Sequence, residues 1–229
     1  MIQWLVQSST ENSDLARGAA PAAWLHPIEQ AQLARLRLAK RRREWLLGRW
    51  TAKQLLRTCL AHEQQLWLPL NALAIYPDAR GAPMIMAECA CQVEEWQISI
   101  SHSHDCAFCA AARLSTIGLG ADIEHIEPRG WRFVGDYFTP DEIERVRDAP
   151  GENRERLITA IWSAKEAALK ALHLGLTIDT RQVSCAIDPW RVTPREWIEF
   201  KIIATGCNHR PLQGWWRAWN DFVLTVAIT

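Results

Sequence analysis

The longest helical pattern in the chain is RERLITAIWSAKEAALKALH, residues 154–173, and Gly175 follows it. At about 100° per residue, its aliphatic side chains share one side of a helix and form a broad apolar face. Lys165 falls inside that face, where an ammonium must either reach solvent or meet an anion. Glu166 lies at the edge of the face, with Lys170 one turn further on. The stretch therefore predicts a core helix with charged residues at its border.

Short segments around this helix favour strands and further helices. Residues 27–60 predict two helices or one broken helix, and Thr139-Pro-Asp-Glu142 is typical of a helix start near Thr139. A small apolar run at 106–112 and an alternating run at 117–126 predict a central β-hairpin. Apolar and polar residues alternate, as in strands with one buried face, at 96–102, 182–187, 197–204, 213–219 and 222–228. Helices and strands occur in blocks, which predicts an α+β fold.

Composition narrows the class of protein. The chain has 229 residues, of which 48% are hydrophobic, and its formal net charge is zero. No apolar segment approaches the ~18 residues that a membrane span needs, and the N-terminus lacks the pattern of a signal peptide. We therefore expect a cytoplasmic protein that binds no membrane. The seven cysteines are an odd number in a large apolar chain, so we expect reduced thiols.

Charge is unevenly distributed, and two acids stand out. Residues 31–60 contain nine lysines and arginines and only one acid. In Gly120-Ala-Asp122-Ile-Glu124, the acids alternate on a predicted strand, so both side chains leave the same face. Two such carboxylates form either a solvated strand edge or an oxygen site for Mg²⁺. Together with Glu166 and the lysines of the helix, they suit phosphoryl transfer.

These segments resemble the two signature motifs of the Sfp-type 4'-phosphopantetheinyl transferases. The first is Gly120-Ala-Asp122-Ile-Glu124, and the second is Trp162-Ser-Ala-Lys165-Glu166-Ala-Ala-Leu-Lys170. Supporting matches follow in the order of the family: Glu44-Trp-Leu-Leu-Gly-Arg49, Gly81-Ala-Pro83, Ser101-His102-Ser103 and Phe138-Thr-Pro-Asp-Glu142. The resemblance covers about residues 40–180.

The resemblance implies two similar α/β halves related by a pseudo-twofold axis, with the active site between them. We set the halves at 1–115, with the basic segment that binds coenzyme A, and 116–229, with the catalytic motifs. The implied reaction moves 4'-phosphopantetheine from coenzyme A to a serine of an apo acyl or peptidyl carrier protein. Adenosine 3',5'-bisphosphate is the second product, and the enzyme is expected to be a monomer that does not bind nucleic acid.

The resemblance also implies roles for single residues. Asp122, Glu124 and Glu166 would hold Mg²⁺, for which Mn²⁺ could substitute. Residues that would bind coenzyme A are Arg49, Ser101, His102, Lys165 and Lys170, with Asp122 reaching it through the metal. Glu166 or a metal-bound water is the candidate base for the carrier serine, with Lys170 as a second catalytic residue. Glu142 matches an acid of the family, although a capping role is favoured.

Two departures and three alternatives remain at this stage. Ala82 stands where many relatives carry a basic residue, so one phosphate contact is either missing or supplied by Arg80, and Ile98-Ser-Ile100 stands where the family more often has Phe-Asn-Leu. Cys89, Cys91, Cys106 and Cys109 with neighbouring histidines could instead form a zinc-binding module. The basic segment could bind nucleic acid, or the fold could bind coenzyme A without catalysis.

Overall fold

The computed structural model describes residues 1–20, 23–88, 93–113, 118–188, 190–191, 195–205 and 212–229. It divides the chain into two compact units, Met1–Thr116 and Ile117–Thr229. Each unit combines helices with antiparallel strands, which confirms the predicted α+β class. Among the described helices, none combines the length and the hydropathy that a membrane span requires.

In its described residues, the N-terminal unit packs three helices with five strands. The helices are α1 (Ser13–Ala16), α2 (Pro27–Arg35) and α3 (Ala39–Gln64). The strands are β1 (Gln3–Ser8), β2 (Leu73–Pro77), β3 (Pro83–Ala87), β4 (Trp96–Ser103) and β5 (Cys106–Arg113). One sheet has the order β1-β5-β4, and β2 and β3 form a separate hairpin. The prediction of two helices in residues 27–60 is confirmed.

The part of the C-terminal unit that the structure describes packs three helices with one sheet of five strands. The helices are α4 (Trp131–Tyr137), α5 (Pro140–Asp148) and α6 (Gly151–Ala171). The strands are β6 (Leu119–His125), β7 (Val183–Ala186), β8 (Ile198–Ala204), β9 (Leu212–Trp219) and β10 (Phe222–Ile228). All neighbours are antiparallel in the order β6-β10-β9-β8-β7. The helix predicted over residues 154–173 is α6, which begins three residues earlier than predicted, at Gly151.

The predicted hairpin between residues 106–112 and 117–126 is wrong. Strand β5 pairs with β1 and β4, whereas β6 pairs with β10 in the other unit. The run at 106–112 is apolar on both faces because it is the central strand of its sheet and is buried throughout. Its hairpin partner is β4, through a two-residue turn at His104 and Asp105. Both residues have positive φ, 45° and 59°, as tight hairpin turns require.

A close backbone contact joins α6 to the first strand of the C-terminal unit. A Cβ on Gly120 would lie 1.8 Å from the carbonyl oxygen of Ala167, and one on Gly118 would lie 1.9 Å from that of Ala171. The glycines and the small helix residues therefore let α6 rest directly on β6. Since side chains alternate along a strand, Asp122 and Glu124 share the helix-facing side with Gly120.

A fully buried lysine and glutamate connect three elements in each unit. In the C-terminal unit, Lys165 Nζ of α6 lies 2.8 Å from Glu142 Oε2 of α5. The same carboxylate accepts hydrogen bonds from the backbone N–H of Thr139 at 2.8 Å and of Cys185 at 2.7 Å. Glu142 thus caps its own helix, as predicted, and also holds α6 and β7. Neither side chain of the ion pair is more than 1% exposed.

The N-terminal unit contains a corresponding buried ion pair, formed by different residues. Lys53 of α3 pairs with Glu29 of α2, and both side chains are completely buried. Glu29 accepts from the backbone N–H of His26, which caps α2, and from that of Ile75 in β2. Burial lowers the pKa of Lys53, and the charge of Glu29 opposes that effect. The two units therefore share one internal framework.

The repeat extends to the sequence and to the strand order. Trp50-Thr-Ala-Lys53-Gln54 corresponds to Trp162-Ser-Ala-Lys165-Glu166, and His26-Pro-Ile-Glu29 corresponds to Thr139-Pro-Asp-Glu142. Strands β1-β5-β4 match β6-β10-β9 in order, and the β2–β3 hairpin matches β7–β8. The predicted similarity of the two units thus has a basis in their topology.

We predict that Glu142→Gln lowers the free energy of unfolding by about 3 kcal/mol, since it leaves Lys165 charged and buried without a counter-ion. Glutamine keeps one acceptor oxygen and replaces the other with an NH2 group that cannot accept, so the change removes the charge together with one backbone hydrogen bond. Urea denaturation measures the effect, with Glu144→Gln on the exposed face of α5 as the matched control. Equal stability of the two variants would contradict the role of the pair.

We also predict that Gly120→Ala is strongly destabilising, because its methyl group would overlap the backbone of α6. Gly135→Ala in α4 is the matched control. A Cβ at Gly135 meets nothing within 4 Å, and alanine favours a helix by about 1 kcal/mol. In thermal unfolding, the midpoint temperature of Gly120→Ala should be lower than that of the parent, and that of Gly135→Ala slightly higher. A neutral Gly120→Ala would show that α6 is not held against the strand.

Candidate active site

The acidic residues of the C-terminal unit gather where β6 meets α6. Asp122 is 3% exposed and lies opposite Thr225 of β10 in the strand register. Glu124, two residues further along, is partly buried and lies opposite Val223. Both face α6, which supplies Glu166. The contact at Gly120 thus brings a strand with two acids against a helix with a third.

The electrostatics of Glu166 show that the three carboxylates interact. Burial raises the pKa of Glu166 to about 7, with a further increase from the charges of Asp122 and Glu124. The charge of Lys170 opposes this rise. The pKa of Glu124 is also raised, first by burial and then by Asp122. Repulsion between the acids is therefore a property of the site, and a bound cation would relieve it.

Lys170 is held at the same place from the helix side. Its Nζ lies 2.8 Å from Asp122 Oδ1 and 3.0 Å from the carbonyl oxygen of Ala121. Its side chain keeps 29% of its surface exposed. Lys170 therefore joins the two signature motifs through Asp122, and its partly exposed ammonium places a positive charge beside the acids.

Two hydrogen-bond donors hold the Glu124 carboxylate, and the sequence did not predict this role for either of them. Trp162 Nε1 donates to Oε1 at 3.1 Å, and Arg129 Nη2 donates to Oε2 at 2.8 Å. Trp162 belongs to the second signature motif and precedes Glu166 by one helical turn, so the helical period could have predicted that it lies near the acids. Arg129 lies in the connection between β6 and α4, where periodicity carries no signal.

The predicted phosphate contact of Lys165 does not agree with the structure. Its side chain is completely buried, and Nζ donates to the carbonyl oxygens of Thr180, at 3.0 Å, and Val183, besides the pair with Glu142. An ammonium has three donors, and all three have partners here. Lys165 is therefore part of the framework, which explains why a lysine interrupts the apolar face of α6.

The predicted coenzyme A residues outside this cluster belong to the N-terminal unit. Ser101 and His102 lie near the end of β4, and His102 is exposed. His102 lines a small pocket with residues from α3 and the β4–β5 turn: Ser9, Arg43, Glu44, Leu47, Ser103, His104, Asp105 and Cys106. The lining combines cationic Arg43 and two histidines with two acids, Glu44 and Asp105, so its charges do not by themselves favour an anion.

Arg49 is more enclosed than the sequence suggested. Its Nε donates to the carbonyl oxygen of Ile75 at 3.2 Å, and its guanidinium lies 5.0 Å from the ring centre of Trp45. Burial lowers the pKa of Arg49, and Glu29 opposes this effect. One edge of the guanidinium is thus occupied by the framework of its own unit.

The segment around Ala82 forms the tight turn between β2 and β3. The side chain of Asp78 accepts from the backbone N–H groups of Arg80 and Ala82, both at 2.8 Å, and Gly81 has a φ of 87°. Arg80 is exposed, so it is free to approach an anion as predicted. The glycine of this motif is explained by the turn itself.

The cysteines give little support to the zinc alternative. Cys106 and Cys109 are buried free thiols on β5, and burial raises the pKa of both. Three residues apart on a strand, they leave opposite faces, so one metal cannot reach both. Cys89 and Cys91 lie outside the described residues.

Comparison with known proteins bears on the family that the chain resembles. Residues 118–227 match the family model of the 4'-phosphopantetheinyl transferase superfamily. The predicted resemblance to this family is confirmed. The matched residues span almost the whole C-terminal unit, including all three acids and Lys170.

Curated relatives carry the same family name. The 4'-phosphopantetheinyl transferase HetI of Nostoc sp. is 28% identical over 170 residues, 73% of this chain and 67% of that protein. The 4'-phosphopantetheinyl transferase psf-1 of Bacillus pumilus is 26% identical over 110 residues, 48% of this chain and 44% of the relative. A solved ACPS–CoA complex from Chronobacterium ammoniagenes is 19% identical, with a TM-score of 0.38, over 50% of this chain and 97% of the other.

The raised pKa of Glu166 predicts a stability that depends on pH. The unfolded chain ionises Glu166 near its ordinary pKa of 4.5, whereas the folded protein does so near 7. Stability associated with the protonated form is thus present below pH 4.5 and lost as the pH rises to about 7. Without divalent cations, Glu166→Gln should therefore be more stable than the parent by about 3 kcal/mol at pH 8.

The measurement is thermal or urea unfolding at pH 4.5 and pH 8 with a chelator present. The difference between Glu166→Gln and the parent should shrink at the lower pH. Glu155→Gln, an exposed position on α6, is the matched control and should show no such change. A difference independent of pH would contradict repulsion among the acids.

Proposed function

We propose that the protein transfers the 4'-phosphopantetheine arm of coenzyme A to a serine of an apo acyl or peptidyl carrier protein. The observation that carries this proposal is the joining of Asp122, Glu124, Glu166 and Lys170 at the contact of β6 with α6. The family match and the names of the relatives support phosphopantetheine transfer as the chemistry of this chain.

We propose Mg²⁺ as the metal of this site, held by Asp122, Glu124 and Glu166. The fit rests on the donors, which are all carboxylates, the hard oxygen ligands that Mg²⁺ prefers. It also rests on the raised pKa values of Glu124 and Glu166, because a cation relieves repulsion among acids. When bound, Mg²⁺ would neutralise the charge of the coenzyme A phosphates.

Glu166 would accept the proton of the carrier serine, and Lys170 would stabilise the charge on the leaving group. The carrier serine attacks the β-phosphorus, forming a new P–O bond and breaking the bond to the phosphate of adenosine 3',5'-bisphosphate. Glu166 is the proposed base for the serine proton, and a cation bound beside it would lower its pKa below the raised value of the metal-free site and so keep it ionised. Lys170, partly exposed beside Asp122, would stabilise negative charge on the leaving phosphate.

The N-terminal unit would bind the remainder of coenzyme A. His102, Ser101 and Arg43 offer donors for a phosphate group, and the exposed basic residues of α3 would attract it. Arg49 would contribute with the part of its guanidinium that does not bind Ile75. We therefore propose residues 1–115 for coenzyme A binding and 116–229 for the metal and the chemistry.

Incubation with apo carrier proteins, coenzyme A and Mg²⁺ tests the function. Intact mass spectrometry should show one added phosphopantetheine on the carrier, and a chelator should abolish the addition. Asp122→Asn should lower the rate at least about 100-fold, since it removes a charged ligand of the proposed metal ion. Asp136→Asn, whose side chain is 60% exposed on α4, is the matched control.

The two variants separate chemistry from folding. Asp122→Asn should keep the circular dichroism spectrum of the parent, because asparagine preserves the volume of a buried side chain. No added mass with any of several acyl and peptidyl carriers would exclude the transferase function. Normal turnover of Asp122→Asn would show that the metal site is assigned to the wrong residues.

A further inference from the structure

The carboxylate of Glu124 is held from two directions. Trp162 approaches Oε1 from α6, and Arg129 approaches Oε2 from the connection before α4. Each oxygen accepts one hydrogen bond from these donors. Since a carboxylate oxygen has two lone-pair directions, each oxygen can also contact a cation. These two hydrogen bonds therefore fix the orientation of the Glu124 carboxylate and leave both of its oxygens able to bind a metal ion.

Arg129 is itself fixed by the protein. Its side chain is only 10% exposed, and Nη1 donates to Thr159 Oγ1 at 3.0 Å. Thr159 in turn donates to the carbonyl oxygen of Glu155, so the support is the backbone of α6. The guanidinium also lies 5.4 Å from the ring centre of Phe133. Arg129 is thus a rigid link from α6 to Glu124, unlike a flexible arginine at the surface.

The planar fork of arginine explains the residue type. One terminal nitrogen binds Glu124 while the other binds Thr159, which a single ammonium cannot do in the same geometry. Its charge also opposes the repulsion between Glu124 and Asp122, which are packed on one face of β6. A longer contact at 3.7 Å joins the same guanidinium to Glu127, at the exposed side.

We propose that Arg129 is a positioning residue that holds the Glu124 carboxylate in place for the metal ion. This inference rests on the proposed function, because it assumes the cation site formed by the three acids. Arg129 acts only through Glu124, which it contacts, and has no role of its own toward the substrate. Partners of this kind typically change metal affinity by about 10-fold to 100-fold when they are removed.

The test is a direct measurement of Mn²⁺ affinity, in the whole protein and without coenzyme A. Paramagnetic resonance of free Mn²⁺ reports binding independently of turnover. Arg129→Met should weaken binding by about 10-fold, and Arg129→Lys by less, since lysine restores the charge but only one contact. Arg132→Met is the matched control, because this arginine side chain is 95% exposed, and it should bind Mn²⁺ like the parent.

A double-mutant cycle shows whether Arg129 acts through Glu124. If it does, adding Arg129→Met to Glu124→Gln should weaken Mn²⁺ binding no further than Glu124→Gln alone. Additive losses would overturn the inference, as would parental affinity in Arg129→Met. If Arg129→Met fails to fold, Thr159→Val keeps the arginine and removes its anchor. That variant should weaken binding by a smaller factor, and unchanged affinity would overturn the inference.

The parent protein separates this inference from the proposed function. If the parent binds no Mn²⁺, the assignment of Asp122, Glu124 and Glu166 as metal ligands fails. If the parent binds Mn²⁺ and modifies a carrier while Arg129→Met does both equally well, only the positioning role fails. The two results require different revisions, and the same set of samples provides both.

Discussion

The close contact of α6 with β6 is the constraint on which the site depends. No side chain fits between Gly120 and the backbone at Ala167, so the helix rests directly on the strand. Asp122 and Glu124 share the helix-facing side of that strand, and they meet Glu166 and Lys170 there. Burial at this contact raises the pKa of Glu166, and the charges of the neighbouring acids raise it further. The packing that builds the core thus also creates the charge repulsion that favours a cation.

The buried lysine–glutamate pairs connect the helices and strands within each unit. Lys165 and Glu142 connect α6, α5 and β7 at one point, and every charged donor has an acceptor. Such pairs contribute little net stability compared with apolar residues, yet they permit only one arrangement of the elements that they join. In this fold the pair holds the helix that carries Glu166, so specificity of packing matters directly to the site. Within the second motif, Lys165 therefore belongs to the framework, and Glu166 is the residue that we propose for the chemistry.

Local patterns predicted what depends on local geometry. The period of a strand placed Asp122 and Glu124 on one face, and the helical period placed Lys165 among buried aliphatic residues. Partners distant in sequence could not be predicted in the same way. Lys165 meets a glutamate 23 residues away, which no periodicity indicates. The wrong hairpin has the same origin, because β5 and β6 are neighbours in sequence and pair with strands from elsewhere. Arg129 was missed because it lies in a connection whose course depends on the folded structure.

The N-terminal unit shows that the framework and the chemistry are separable. It repeats the buried pair, the capped helix and the strand order, but Gln54 stands where the C-terminal unit has Glu166. The side-chain oxygen of Gln54 accepts a hydrogen bond from Arg57, one turn further along α3. Strand β1, in the position of β6, contains no acid. The same scaffold thus persists without the carboxylates, so the acids are not needed to build it. Their presence in the C-terminal unit, despite mutual repulsion, is best explained by a cation and the phosphates that it would bind.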